Sequence, residues 1–140
     1  MIGILILTHG ELAKGYLSAL ELISGKAEKV ETLGLYHETS IEDYKRKVTA
    51  KIKDMDDGEG VLVFCDIFGA SPYNATAQSY KELKGEVNYR SITGVNLAMV
   101  IEAVYCRENM NLDELSKHIQ QIGKKAIKEL FEAMGGRENE

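Results

Sequence analysis

The sequence predicts an α/β fold: a doubly wound, mainly parallel sheet flanked by helices, a three-layer sandwich. Two observations predict it. Short apolar runs alternate with amphipathic stretches along the chain, which is the pattern of βα units in series. The clearest apolar runs also stop abruptly at a polar or charged residue followed by a glycine or a glycine-containing turn. Tight connections of this kind imply right-handed crossovers and helices on both faces of the sheet. The order of the strands is not readable from the pattern.

The first run, Ile2-Gly3-Ile4-Leu5-Ile6-Leu7, closes on Thr8-His9-Gly10 and reads as a buried strand. Leu12, Tyr16, Ala19, Leu20 and Ile23 then fall on one helical face, with Gly25 as the stop. Val30 to Leu35 is the second strand candidate. Ser40-Ile41-Glu42-Asp43 starts a helix carrying Ile41, Tyr44, Val48, Ile52 and Met55 along one side. The turn Asp56-Asp57-Gly58-Glu59-Gly60 breaks it before a third strand, Val61-Leu62-Val63-Phe64-Cys65-Asp66.

Pro72, the only proline, fits the first position of a helix, with Ser71 before it as a cap. Tyr73, Ala77, Tyr80 and Leu83 line a face up to Gly85. Val87 to Thr93 reads as a fourth strand ending in Gly94, and Leu97, Val100, Ile101 and Val104 continue as helix. Asn111 and Glu114, three residues apart, form a capping pair ahead of Leu115, Ile119, Ile122, Ala126 and Leu130. Residues 1–134 read as a single domain and 135–140, small and polar, as a flexible tail.

At 140 residues the chain is large enough for one substantial core. With 44% hydrophobic and 28% charged residues it has ordinary globular composition, which argues against disorder. The longest apolar runs fall short of the roughly 20 residues that span a bilayer. No basic start precedes a long apolar stretch, so no signal peptide is expected. Cys65 and Cys106 show neither metal-ligand spacing nor a disulfide framework, and the reducing cytoplasm is the expected compartment. No metal and no cofactor are expected. A net charge of −5 disfavours nucleic acid and anionic membranes as partners.

The chemistry is expected at the strand ends, because ligands of open parallel sheets collect in the crevice at the carboxyl edge. His9 and Asp66 both end strands. If those strands are neighbours, the carboxylate fixes the imidazole tautomer and supports a developing imidazolium, which makes His9 an oriented nucleophile. The bland reading of His9 is a surface residue or the partner of a backbone carbonyl. His37, in a loop, and His118, mid-helix among polar neighbours, have no comparable setting and read as solvated. The turn Gly69-Ala70-Ser71-Pro72 opens a helix, so its amides and the Ser71 hydroxyl form an anion site; alternatively Ser71 only caps its own helix. The first strand ends without an acidic cluster, which disfavours a magnesium-dependent aspartyl phosphate on Asp66. Glycine-rich nucleotide motifs are absent.

Three motifs, taken together over roughly Met1 to Leu130, resemble the enzyme IIA domain of the mannose family of the bacterial phosphoenolpyruvate:sugar phosphotransferase system. They are Gly3-Ile4-Leu5-Ile6-Leu7-Thr8-His9-Gly10, Asp66-Ile67-Phe68-Gly69-Ala70-Ser71-Pro72-Tyr73-Asn74-Ala75, and Ile92-Thr93-Gly94-Val95-Asn96-Leu97-Ala98-Met99. The resemblance implies that His9 accepts a phosphoryl group on Nε2 from the carrier HPr, with Asp66 accepting from Nδ1–H. It implies a phosphate-binding role for Gly69, Ala70 and Ser71, and onward transfer to an enzyme IIB. With no linker or IIB segment after Glu140, that partner is expected to be a separate chain, and association with a membrane sugar permease to be indirect. A homodimer is also implied, and Gly123 to Phe131 is either a continued helix or a strand exchanged between subunits. Ala70 and Ala98 stand where the family pattern has glycine and proline. Alternative readings are a phosphorylation-dependent regulatory protein, an IIA-like subunit of dihydroxyacetone phosphorylation, and a small hydrolase using His9 and Asp66. The sugar is not readable from the sequence.

Overall fold

A computed structural model describes residues 1–136. Four parallel strands, β1 (Gly3–His9), β2 (Val30–Leu35), β3 (Val61–Cys65) and β4 (Tyr89–Ile92), form one sheet in the order β2-β1-β3-β4. Between and after them run α1 (Leu12–Ser24), α2 (Ile41–Met55), α3 (Ser71–Leu83), α4 (Leu97–Cys106), α5 (Leu112–Lys125) and the short α6 (Leu130–Ala133).

The alternation within the central strands assigns the layers. Ile4 and Ile6 of β1, with Leu62 and Phe64 of β3, point to a core closed by α1, α4 and α5. Leu5 and Leu7, with Val61, Val63 and Cys65, point to the opposite core, closed by α2 and α3. Successive strand side chains face opposite ways, so a strand covered on both sides must be apolar throughout. That is why β1 and β3 read as unbroken hydrophobic runs. Each fully buried Leu or Ile contributes about 1.5–3 kcal/mol. Arg107 closes the amino edge of the sheet: only 6% exposed, its guanidinium donates to the carbonyls of Ile2, Glu28 and Lys29.

Several helix faces differ from the sequence expectation. In α1, Ala13 and Leu20 are buried while Leu12 and Ile23 are half exposed. The phase is set at the start of the helix, where the buried Thr8 hydroxyl accepts from the Ala13 amide at 2.7 Å and turns Ala13 onto the sheet. In α3 the buried face is Ala75, Thr76, Ser79 and Leu83, and Tyr80 is exposed. Its hydroxyls are tolerated there because Ser79 Oγ bonds the Ala75 carbonyl and shares a 2.6 Å hydrogen bond with Thr49 of α2. The predicted caps at Ser40 and Asn111 are present, the latter as a reciprocal capping box with Glu114. Ser71, however, is the first residue of α3 rather than its cap; Ala70 holds the cap position.

β4 is shorter than the expected Val87 to Thr93. Gly123 to Phe131 does neither of the two things expected of it in simple form. α5 stops at Lys125, the chain passes through extended backbone at Glu129, and the single turn α6 begins at Leu130. Of the expected tail, 137–140 lies outside the described residues.

Candidate active site

β1 and β3 lie side by side in parallel register, with Leu7 opposite Cys65. The residues that continue past this pair, His9 and Asp66, therefore emerge together at the carboxyl edge of the sheet. His9 Nδ1 lies 2.8 Å from Asp66 Oδ2. The same oxygen accepts from the His9 backbone amide at 2.9 Å, and Oδ1 accepts from the Ile67 amide at 2.9 Å. Burial pushes the Asp66 carboxyl up, but the bonds from the His9 amide and ring and from the Ile67 amide outweigh it and hold it below the usual carboxylate range. An ionised carboxylate only accepts. Nδ1 is therefore the protonated nitrogen, and Nε2 carries the free lone pair. The His9 side chain is 49% exposed and that of Asp66 only 9%.

The backbone around His9 is fixed by residues with no chemistry of their own. Thr8 Oγ1 accepts from Ala13 and donates to the His9 carbonyl at 3.1 Å, so one buried hydroxyl spans the turn from β1 into α1. Gly10 takes the left-handed conformation at φ +55° and donates its amide to Leu35 O at 2.8 Å. This brings the turn across β2 at Gly34, where a Cβ would lie 2.4 Å from the Gly10 carbonyl oxygen. On the other side, Val95 donates to the Cys65 carbonyl at 3.2 Å, and Tyr16 of α1 donates its hydroxyl to Val95 O at 2.9 Å. Thr8 was visible in sequence only as a neighbour of His9. Gly34 and Tyr16 were missed, because their roles depend on which strands and loops become adjacent.

The turn after Asp66 leads directly into the N-terminus of α3. Gly69 adopts φ +81°, whereas Ala70 is extended at φ −86°, ψ 173°. The alanine therefore sits where any residue fits, and the conformation that needs glycine belongs to Gly69. Asn74 Nδ2 donates to Gly69 O at 2.9 Å and secures the turn. Among the described residues, the Gly69 and Ser71 amides and the Ser71 hydroxyl have no hydrogen-bond partner. Donors at a helix start, uncommitted and aided by the helix dipole, suit an oxyanion. Ile67 and Phe68 project beside them, 59% and 73% exposed, with Phe68 tilted against Tyr73 at 5.0 Å between ring centres.

His37 is exposed, as expected. His118 is not solvated: it is half-buried and its Nε2 approaches Glu102 Oε2 of α4 at 3.3 Å. A groove of about 510 Å³ runs along the outer edge of β4, lined by Phe68, Thr93, Asn96, Met99, Gly123 and Ile127 among others. Neither His9 nor Asp66 lines it.

A family model described as the PTS system fructose IIA component matches residues 3–120. The chain belongs to this enzyme IIA family. It is 30% identical over 130 residues to the PTS system mannose-specific EIIAB component of Escherichia coli (strain K12), covering 92% of this chain and 39% of that protein. It therefore spans about two-fifths of the length of that relative. With the PTS system fructose-specific EIIA component of Bacillus subtilis (strain 168) it shares 25% identity, over 91% of this chain and 85% of the other. Among solved structures, a phosphotransferase system component EIIA from Streptococcus agalactiae superposes with a TM-score of 0.85 at 28% identity, covering 93% of this chain and 98% of that one. Among the described residues, no helix is long and apolar enough to cross a membrane.

Proposed function

We propose that the protein is a phosphocarrier that takes a phosphoryl group from the phosphohistidine of HPr onto His9 Nε2 and passes it to an enzyme IIB for sugar uptake. The observation that carries this reading is the 2.8 Å contact between His9 Nδ1 and the nearly buried Asp66 carboxylate, with half the His9 side chain exposed. In the transfer the N–P bond of the donor breaks and its electron pair returns to the donor nitrogen. The lone pair of His9 Nε2 forms the new N–P bond, while Nδ1 keeps its proton. The ring becomes cationic, and Asp66 offsets that charge. A loose phosphoryl transition state needs chiefly alignment and electrostatic stabilisation. The Gly69 and Ser71 amides and the Ser71 hydroxyl are the donors suited to the phosphoryl oxygens, and the Ala70 amide can join them by giving up its 3.4 Å bond to the Ile67 carbonyl. Exposed Ile67 and Phe68 offer apolar surface beside the site for docking each partner in turn.

Residues 1–134 act as the IIA unit in this reading, in the cytoplasm, and association with the permease runs through IIB. The protein works as a homodimer. Support comes from the chain beyond α5, where Ile127 and Leu130 are 81% and 63% exposed, and from β4, whose outer edge pairs with no strand among the described residues. An exchanged segment in the groove beside β4 would satisfy both. Sedimentation at micromolar concentration is expected to give a dimer, and monomer alone would refute it.

The test of the carrier role is phosphate transfer from labelled phosphoenolpyruvate with enzyme I and HPr. Acid-labile, base-stable label is expected on the wild type and not on His9→Ala. Full labelling of a folded His9→Ala variant would overturn the proposal.

A further inference from the structure

Away from the strand ends, α4 and α5 bring together three donor atoms of different chemistry. Glu102 and Cys106 are one helical turn apart on α4 and so share a face. His118 of α5 lies against that face, with Nε2 at 3.3 Å from Glu102 Oε2. The carboxylate oxygen, Cys106 Sγ and a His118 ring nitrogen all lie within 4.8 Å of one another, and all three residues are partly buried. α4 starts beside the carboxyl edge and ends where Arg107, next to Cys106, reaches the carbonyls before β1 and β2. The cluster is thus displaced from His9 toward the opposite edge of the sheet.

We infer that Glu102, Cys106 and His118 form a binding site for a zinc-class divalent cation, independent of the phosphoryl chemistry. The donor set is the reason. Thiolate, imidazole and carboxylate together suit zinc rather than magnesium or calcium, which take oxygen ligands. Zinc–nitrogen and zinc–oxygen bonds of about 2.0–2.2 Å at a tetrahedral angle set the two ligand atoms about 3.4 Å apart. The observed 3.3 Å already has that spacing. Cys106 Sγ, within 4.8 Å of both, completes three ligands by closing to about 3.6 Å from each, leaving the fourth position to water. Binding displaces the Cys106 thiol proton to solvent and forms the metal–sulfur bond. The ion joins α4 to α5 across their interface and steadies the helix from which the 126–134 segment departs.

The experiment is a cobalt(II) titration of the full-length chain, reduced with a phosphine, followed by competition with zinc(II). A thiolate-to-cobalt charge-transfer band saturating at one equivalent, and erased by zinc, is the expected result. Cys106→Ser should abolish the band, and His118→Gln and Glu102→Gln should each weaken binding by about tenfold or more, as loss of one ligand does. Cys65→Ala and His37→Ala should leave it intact. Zinc at roughly a hundred times its dissociation constant should also raise the wild-type Tm by about 5 °C or more. No charge-transfer band at millimolar cobalt would overturn the inference, leaving an ordinary Glu102–His118 ion pair beside a thiol. So would a band that survives Cys106→Ser, or binding indifferent to both His118→Gln and Glu102→Gln. Circular dichroism of each variant separates loss of the site from loss of the fold.

Discussion

Asp66→Asn isolates the charge of the carboxylate from its shape. In the wild type, Oδ2 accepts from the His9 amide and from Nδ1, and Oδ1 accepts from the Ile67 amide. Asparagine offers one acceptor and one donor group to these three N–H donors. If its oxygen faces His9, its NH₂ opposes the Ile67 amide; if it is flipped, the NH₂ opposes the His9 amide and favours the wrong imidazole tautomer. The charge effect can be bounded. A phosphorylated, cationic ring and a carboxylate with charge centres about 4 Å apart attract by about 1 kcal/mol in water and about 4 kcal/mol at an effective dielectric of roughly 20. The His9 side chain is 49% exposed, so the lower part of that interval applies, about 1–3 kcal/mol. At about 1.4 kcal/mol per tenfold, the forward transfer should slow by roughly 5- to 150-fold, with further loss from the tautomer. Rapid-quench measurement of labelled phosphate moving from phospho-HPr to the protein reads this rate directly. A folded Asp66→Asn protein within twofold of wild type would show that Asp66 does not support the phosphorylated ring.

Three further outcomes follow from the surrounding geometry. Thr8→Val removes the hydroxyl that joins Ala13 N to His9 O while keeping the shape, and should cost about 1–2 kcal/mol, read as a Tm fall of about 4–8 °C; an unchanged Tm would contradict it. Gly34→Ala places a methyl 2.4 Å from the Gly10 carbonyl oxygen, so chemical denaturation should show a loss of about 1–3 kcal/mol together with slower phosphoryl acceptance. Since the Asp66 carboxyl is lowered on folding, the unfolded chain takes up its proton first as pH falls. Its stabilising contribution is fully present above the ordinary value of 3.8 and is lost as pH drops below that, so Asp66→Asn should show a shallower acid dependence of stability than wild type.

What the sequence revealed depended on how local the signal was. β1 and β3 were legible because strands buried on both faces must be apolar at every position, and Ser40 and Asn111 were legible because caps act over three residues. His9 and Asp66 could be named together because each ends such a strand, although their contact required β1 and β3 to be neighbours. The faces of α1 and α3 were not legible. A single Thr8 hydrogen bond sets the phase of α1, and Thr76 and Ser79 of α3 are buried hydroxyls that hydropathy counts as surface. His118 was misread for the same reason. Its sequence neighbours are polar, but its partner Glu102 lies on another helix.

The unequal exposure of the two central residues bears on how a relay can work at all. In the proposed relay His9 meets one donor and one acceptor in succession, so its ring has to be reachable by a protein surface. Its charge partner gains from the opposite treatment, since the same attraction is about fourfold weaker in water than at an effective dielectric of roughly 20. Burying a carboxylate normally favours its protonated form. Here three N–H donors hold Asp66 ionised at 9% exposure, two of them from His9 itself. The residue to be stabilised thus supplies most of the hydrogen bonds that keep its stabiliser charged. That coupling ties the position of the His9 backbone to the ionisation of Asp66. Displacing the turn, through Thr8 or Gly34, should therefore weaken phosphoryl acceptance without touching either reacting group.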